Sequence, residues 1–155
     1  KNMEAIAKEA SIAKPTLYAQ FADKETLFEA LIEELLSDKT EIFIQAFETD
    51  APLGERVGNG LAEMFGAISD MLKGSPHAAE LVNEPHRLGH KFKRADDAVV
   101  ESLKRAFSDA GVKDGDQLAK VLLASGTGIV GKLPDGDAVR SAIRLLCDRV
   151  IRGSL

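Results

Sequence analysis

Apolar residues recur in this chain at steps of three and four almost from end to end, and no sustained one-on, one-off alternation appears. Residues spaced in this way share one face of an α-helix, whereas a half-buried strand needs a period of two. The expected fold is therefore all-α. A chain of 155 residues suits one domain, or two small ones sharing a core.

Composition narrows the function classes. The net charge of −5 argues against a general polyanion binder, so any contact with nucleic acid has to be local. The single cysteine, Cys147, leaves no intrachain disulfide to form and fits a reducing compartment. It lies in a strongly apolar stretch and reads as a small buried hydrophobe. No apolar run reaches the roughly 18–20 residues that span a bilayer, and no signal peptide is visible. The reading is a cytoplasmic protein with no membrane partner. The chain opens on Lys1 at a helix entry, as a fragment would.

The helices can be placed one by one. Asn2 caps a short helix to about Ala10, the turn Ser11-Ile12-Ala13 follows, and a second short helix opens with Lys14-Pro15 and ends near Phe21-Ala22. Asp23 caps a long helix with Glu25 in its first turn. Its expected inner face is Leu27, Leu31, Leu35, Ile42 and Ala46, widened by Phe28, Ile32, Phe43 and Phe47. After the break at Thr49 to Pro52, a helix carries Leu53, Val57, Leu61, Phe65, Ile68 and Leu72 up to Gly74-Ser75-Pro76. A short segment from His77 to Glu84 ends at Pro85. Another helix starts near Leu88, shows Phe92, Val99, Leu103 and Phe107, and stops at Gly111.

The last two helices, about Asp116 to Lys132 and Gly136 to Arg152, are apolar over more than one stripe. Such helices need a second surface to bury against. It is either a central core or a partner chain. The candidate dimer contacts are Leu122, Gly126, Val130, Val139, Ile143, Leu146 and Val150.

The segment from Met3 to Phe28 reads as two short helices crossing over a tight turn. Ile6, Ala10, Ile12, Leu17 and Phe21 form its expected core, and Ala7 is small at the crossing. Lys14, Pro15, Thr16, Tyr18 and Ala19 then face outward on the second helix. Such a helix can enter a DNA major groove.

Ile6-Ala7, Ala10, Lys14-Pro15-Thr16-Leu17-Tyr18, Phe21, Lys24-Glu25 and Leu27-Phe28 together resemble the DNA-binding motif of the tetracycline-repressor family. The family usually has Gly where this chain has Ser11, and Ser where it has Ala13. The resemblance implies a helix-turn-helix domain over residues 1–28, lacking the family's first helix, and a helical ligand-binding and dimerisation domain over 29–155. It implies a homodimeric regulator that grips double-stranded operator DNA and is released from it by a small-molecule inducer.

Side-chain chemistry suggests roles. Lys14 and Thr16 can reach base edges or phosphates, and Pro15 and Ala19 can meet a thymine methyl. Tyr18 resembles the family tyrosine that donates to a phosphate, and Lys24 stands at a helix N-terminus that favours one. Over residues 1–24 four lysines (1, 8, 14, 24) face three acids (Glu4, Glu9, Asp23), a formal +1.

The implied inducer cavity has Phe47, Met64, Phe65, Ile68 and Met71 as candidate walls, with Asn83, His86 and His90 as polar contacts. The simpler reading makes the wall residues plain core and turns the polar ones to solvent. His86 and His90 have metal-like spacing, but no further ligand completes a set. No metal, cofactor or enzyme motif organises the remaining residues. The rival reading is a helical small-molecule or protein-binding module whose head is vestigial, with Ser11, Ala13 and the weak head charge in its favour.

Overall fold

The computed structural model describes residues 2–74 and 85–155, without the side chains of 85–90 and 92. The described residues form seven helices and no strand: α1 (Met3–Glu9), α2 (Lys14–Gln20), α3 (Lys24–Phe47), α4 (Leu53–Gly74), α5 (Pro85–Asp109), α6 (Gly115–Lys132) and α7 (Gly136–Ser154). The fold is all-α, as the periodicity predicts. None of these helices is long and apolar enough to cross a membrane. α5 begins at Pro85 rather than near Leu88, because proline is compatible with a first helical turn. The expected segment from His77 to Glu84 lies outside the described residues.

The chain divides into two compact units, Lys1–Leu35 and Leu36–Leu155, with the division inside α3.

The first unit holds a small core of Met3, Ala7 and Leu17, with Ile6, Phe21 and Leu27 packed on it. Ala10 and Ile12, expected there, are exposed. The reason is the way α1 ends. The Ser11 N–H donates to Lys8 O at 3.2 Å and the Ile12 N–H to Ala7 O at 3.0 Å, the paired bonds of a Schellman motif. Its left-handed residue is Ser11, at φ 56°. The reversal carries Ile12 outward, and Met3 from the first turn of α1 fills the core instead.

The second unit is built around α4. Phe43 and Phe47 of α3, Val57, Leu61, Met64 and Phe65 of α4, and Val99, Leu103 and Phe107 of α5 share one core with Leu122 of α6 and Val139, Ile143, Cys147 and Ile151 of α7. Each large apolar side chain buried here contributes roughly 1.5–3 kcal/mol. In α3 the buried positions are Ile32, Leu36, Phe43 and Phe47, while Leu31 is 48% exposed. The inner stripe is therefore rotated by about one residue from the expected one. A helix with apolar residues at 27, 28, 31, 32, 35 and 36 offers two adjacent stripes, and packing selects one. Burial alone pushes the Cys147 thiol up to about 12, so at neutral pH it packs as an apolar group.

Small residues set the closest helix pair. Gly54, Gly58, Ala62 and Gly66 lie four apart on one ridge of α4. A Cβ at Gly54 would stand 3.7 Å from Ile151, and one at Gly58 3.6 Å from Cys147 and 3.7 Å from the Arg144 backbone. Rising numbers on α4 meet falling numbers on α7, so the two run antiparallel. Along the edge of this pair Arg140 bonds Asp70 at 2.7 Å and approaches Glu63 at 3.5 Å. Arg144 reaches Glu63 at 2.5 Å and Asn59 at 3.1 Å.

The chain contains its own control for the α1 turn. α5 ends in the same motif, with Gly111 N–H to Ser108 O, Val112 N–H to Phe107 O, and Gly111 at φ 71°. There the left-handed position has no Cβ; in the first unit it does. Replacing Ser11 with Gly is expected to stabilise the α1–α2 pair by about 1 kcal/mol. In the full chain this reads out as slower amide exchange across α1 and α2 and unchanged exchange in α4.

Candidate nucleic-acid interface

Two short helices are held together by one-sided burial. On α1, Met3 and Ala7 turn inward; on α2, Leu17 does, with Phe21 one turn later. Asn2 caps α1 by accepting from the Ala5 N–H at 2.9 Å. α2 has Pro15 in its first turn, and Ala13 precedes it with no side-chain cap. This follows from chemistry, since alanine has no acceptor to offer the free N–H groups.

Burying Leu17 fixes what faces out. Lys14, Pro15, Thr16, Tyr18 and Ala19 are all exposed, with Tyr18 at 42%. They form a continuous surface on α2 as the sequence predicts. The Lys14 ammonium lies 5.8 Å from the centre of the Tyr18 ring, a cation over a π-face one helical turn away. It also pairs with the Glu4 carboxylate of α1. Each partner shifts the other. The hydrogen bond from Lys14 holds the Glu4 carboxyl below its ordinary value, and the same bond raises Lys14. Glu4 was not singled out in the sequence. It lies ten residues from Lys14, and only the turn at Ser11 brings them together.

Lys24 is exposed in the first turn of α3. The preceding Asp23 carboxylate accepts from the Thr26 N–H at 2.8 Å and its hydroxyl at 2.9 Å, so the expected cap at the start of α3 is present.

The other sequence-derived candidates lie in the second unit. Phe47, Met64 and Phe65 are buried in its core, with Ile68 packed against it and Met71 partly buried. Asn83, and the side chains of His86 and His90, lie outside the described residues. A recess of about 410 Å³ is lined by Lys104, Ser108, Val112 and Asp114 to Gln117, and none of the wall candidates borders it. Sequence reasoning missed Ser69, which is wholly buried and whose hydroxyl has no partner among the described residues. A serine on an otherwise apolar face, one turn beyond Phe65, is the signal that marks it.

Of the candidate dimer contacts, Leu122, Gly126, Val139 and Ile143 are buried within the protomer. A Cβ at Gly126 would stand 2.5 Å from Phe65 Cδ2, so that glycine admits a ring of its own chain. These four correct the sequence reading, because the more apolar stripe of each helix goes to the core. Val130, Leu146 and Val150 are partly buried. The outward apolar residues of the two helices are Val121, 51% exposed, and Leu145, 57% exposed.

Residues 2–31, which contain α1, α2 and the start of α3, match the family described as bacterial regulatory proteins, tetR family. Among curated proteins none matches the chain.

Proposed function

We propose that this chain, a tetR-family DNA-binding transcription regulator through residues 2–31, is a cytoplasmic homodimeric repressor released from its operator by a small-molecule inducer. The observation that carries the DNA-contacting face is the set Lys14, Pro15, Thr16, Tyr18 and Ala19, all exposed on a helix whose other side is anchored by Leu17. In this reading the head comprises residues 1–28. Lys14 and Thr16 meet base edges or phosphates, Pro15 and Ala19 meet thymine methyls, and Tyr18 and Lys24 hold phosphates.

Dimerisation is proposed on the outward face of α6 and α7. Val121, Ala124, Gly128 and Gly131 share one side of α6, and a Cβ at Gly128 or Gly131 meets nothing within 4 Å. Leu145, with Ala142 beside it, lies on α7 at a similar distance from the intervening turn. Two such helix pairs make a four-helix interface, with Val130, Leu146 and Val150 at its margin. The two heads then sit about one DNA turn apart, roughly 34–36 Å.

The inducer is proposed to bind in the second unit near Phe65, Ile68 and Met71. Ser69 supports this, since a buried hydroxyl that finds no partner among the described residues is costly unless something satisfies it. The ligand acts through α3, which belongs to both units, and must bind the DNA-incompetent state more tightly to shift the balance.

The test is fluorescence anisotropy with a duplex from the region upstream of the gene. Lys24→Ala is expected to weaken all duplexes alike and to reduce the log-salt slope by about 0.9. Thr16→Ala is expected to lose about 1–3 kcal/mol and relax preference at one base position. Equal affinity for the upstream and scrambled duplexes, in a folded dimer, favours the module with a vestigial head.

A further inference from the structure

We infer that Glu4 is an internal competitor for DNA: its carboxylate occupies Lys14 in the free protein and keeps that lysine from neutralising a phosphate. The inference rests on the proposed DNA-contacting role of α2.

Geometry supplies the first part of the case. Glu4 on α1 and Lys14 on α2 are joined by an ion pair with hydrogen-bond geometry. The contact spans the Ser11 turn and not a single helix, so it exists only when the two short helices are docked. Lys14 also lies over the Tyr18 ring. The most prominent cation of the outward face is therefore already engaged from two sides by its own chain.

Energetics supply the second. The side chains of Lys14 and Glu4 are 53% and 61% exposed, and a solvated pair of this kind opens readily. It is a latch that DNA can displace, not a structural bolt. A carboxylate and a phosphate oxygen offer the ammonium similar chemistry, so exchanging one for the other gives little net gain. Sequence-independent affinity grows with the number of phosphates neutralised and the counterions released. A lysine that stays on Glu4 adds nothing to that number, and one that leaves it first gives up the ion pair. The formal charge of only +1 over residues 1–24 makes one such lysine a large share of the available attraction. Glu4 thus holds down binding to arbitrary duplex.

The test is a double-mutant cycle on the full chain, with Glu4→Gln, Lys14→Gln and the pair, titrated against a random-sequence duplex across a salt series. Glu4→Gln is expected to tighten binding roughly two- to fivefold at low salt and to steepen the log-salt slope by up to about 0.9. In the Lys14→Gln background the same change is expected to do neither. Glu4→Asp, which keeps the charge, is expected to stay near wild type and guards against a general effect on folding. A gain that persists without Lys14 overturns the inference, because it is then only one fewer negative charge. An unchanged or weaker affinity in Glu4→Gln overturns it too. If no variant binds any duplex, the DNA-contacting reading of α2 fails and takes this one with it; binding without coupling sinks the inference alone.

Discussion

Valine at Gly126 is expected to destabilise the second unit by about 2–3 kcal/mol, lowering Tm by on the order of 5–10 °C. Gly126 sits on α6 where the Phe65 ring of α4 comes closest, and even a methyl carbon there would stand 2.5 Å from two ring atoms. The neighbour cannot give way easily. Phe65 is itself buried, in a core that includes Met64, Leu122 and Val139. Overpacking then forces a helix shift or an off-rotamer ring, and either spreads into close-packed surroundings. Gly128, two residues on, provides the contrast. A Cβ there meets nothing of its own chain within 4 Å, so Gly128→Ala should raise the helix stability of the protomer by up to about 1 kcal/mol. Thermal melts of the two variants check this directly. A Gly126→Val protein that melts with wild type would mean that Phe65 does not pack against α6.

Glutamate at Leu145 is expected to leave the protomer folded and to abolish the dimer. Leu145 is 57% exposed, so the substitution should cost the protomer no more than about 0.5 kcal/mol. Across a two-fold interface the change places like charges on both chains in a desolvated position. Losing the dimer unlinks the two heads, and linkage of two modules is worth roughly 10²–10⁴ in affinity. The expected result is a monomer by sedimentation with unchanged helical content and at least about a hundredfold weaker operator binding. A Leu145→Glu protein that remains dimeric would place the interface elsewhere.

The sequence disclosed the helices and the head because both are written locally. A step of three or four, Asn2 and Asp23 before helices, and Pro15 in a first turn each act within one or two turns of chain. The outward set on α2 followed from the same local logic, once Leu17 was assigned inward. What stayed hidden depends on partners distant in sequence. Gly54, Gly58 and Gly66 look like helix weakeners when read alone, yet they are where α7 or its Arg140 side chain crosses α4. Gly126 likewise looked like a place for a second chain and is filled by Phe65. Leu31 and Ile32 are equally apolar, so no single-helix pattern could choose between them. The core of the first unit was misjudged at Ile12 because the positive φ at Ser11 redirects the chain after α1. The Glu4–Lys14 pair needs that same reversal.

The most direct test of the central claim, that the outward face of α2 reads duplex DNA from a symmetric dimer, is a methylation-protection footprint of the upstream region bound by the full chain. The account predicts two protected major-groove patches centred about 10 base pairs, or a small multiple of a helical turn, apart. It also predicts that Thr16→Ala alters protection symmetrically in both. A single patch, protection confined to the minor groove, or a pattern indifferent to Lys14, Thr16 and Tyr18 would contradict it.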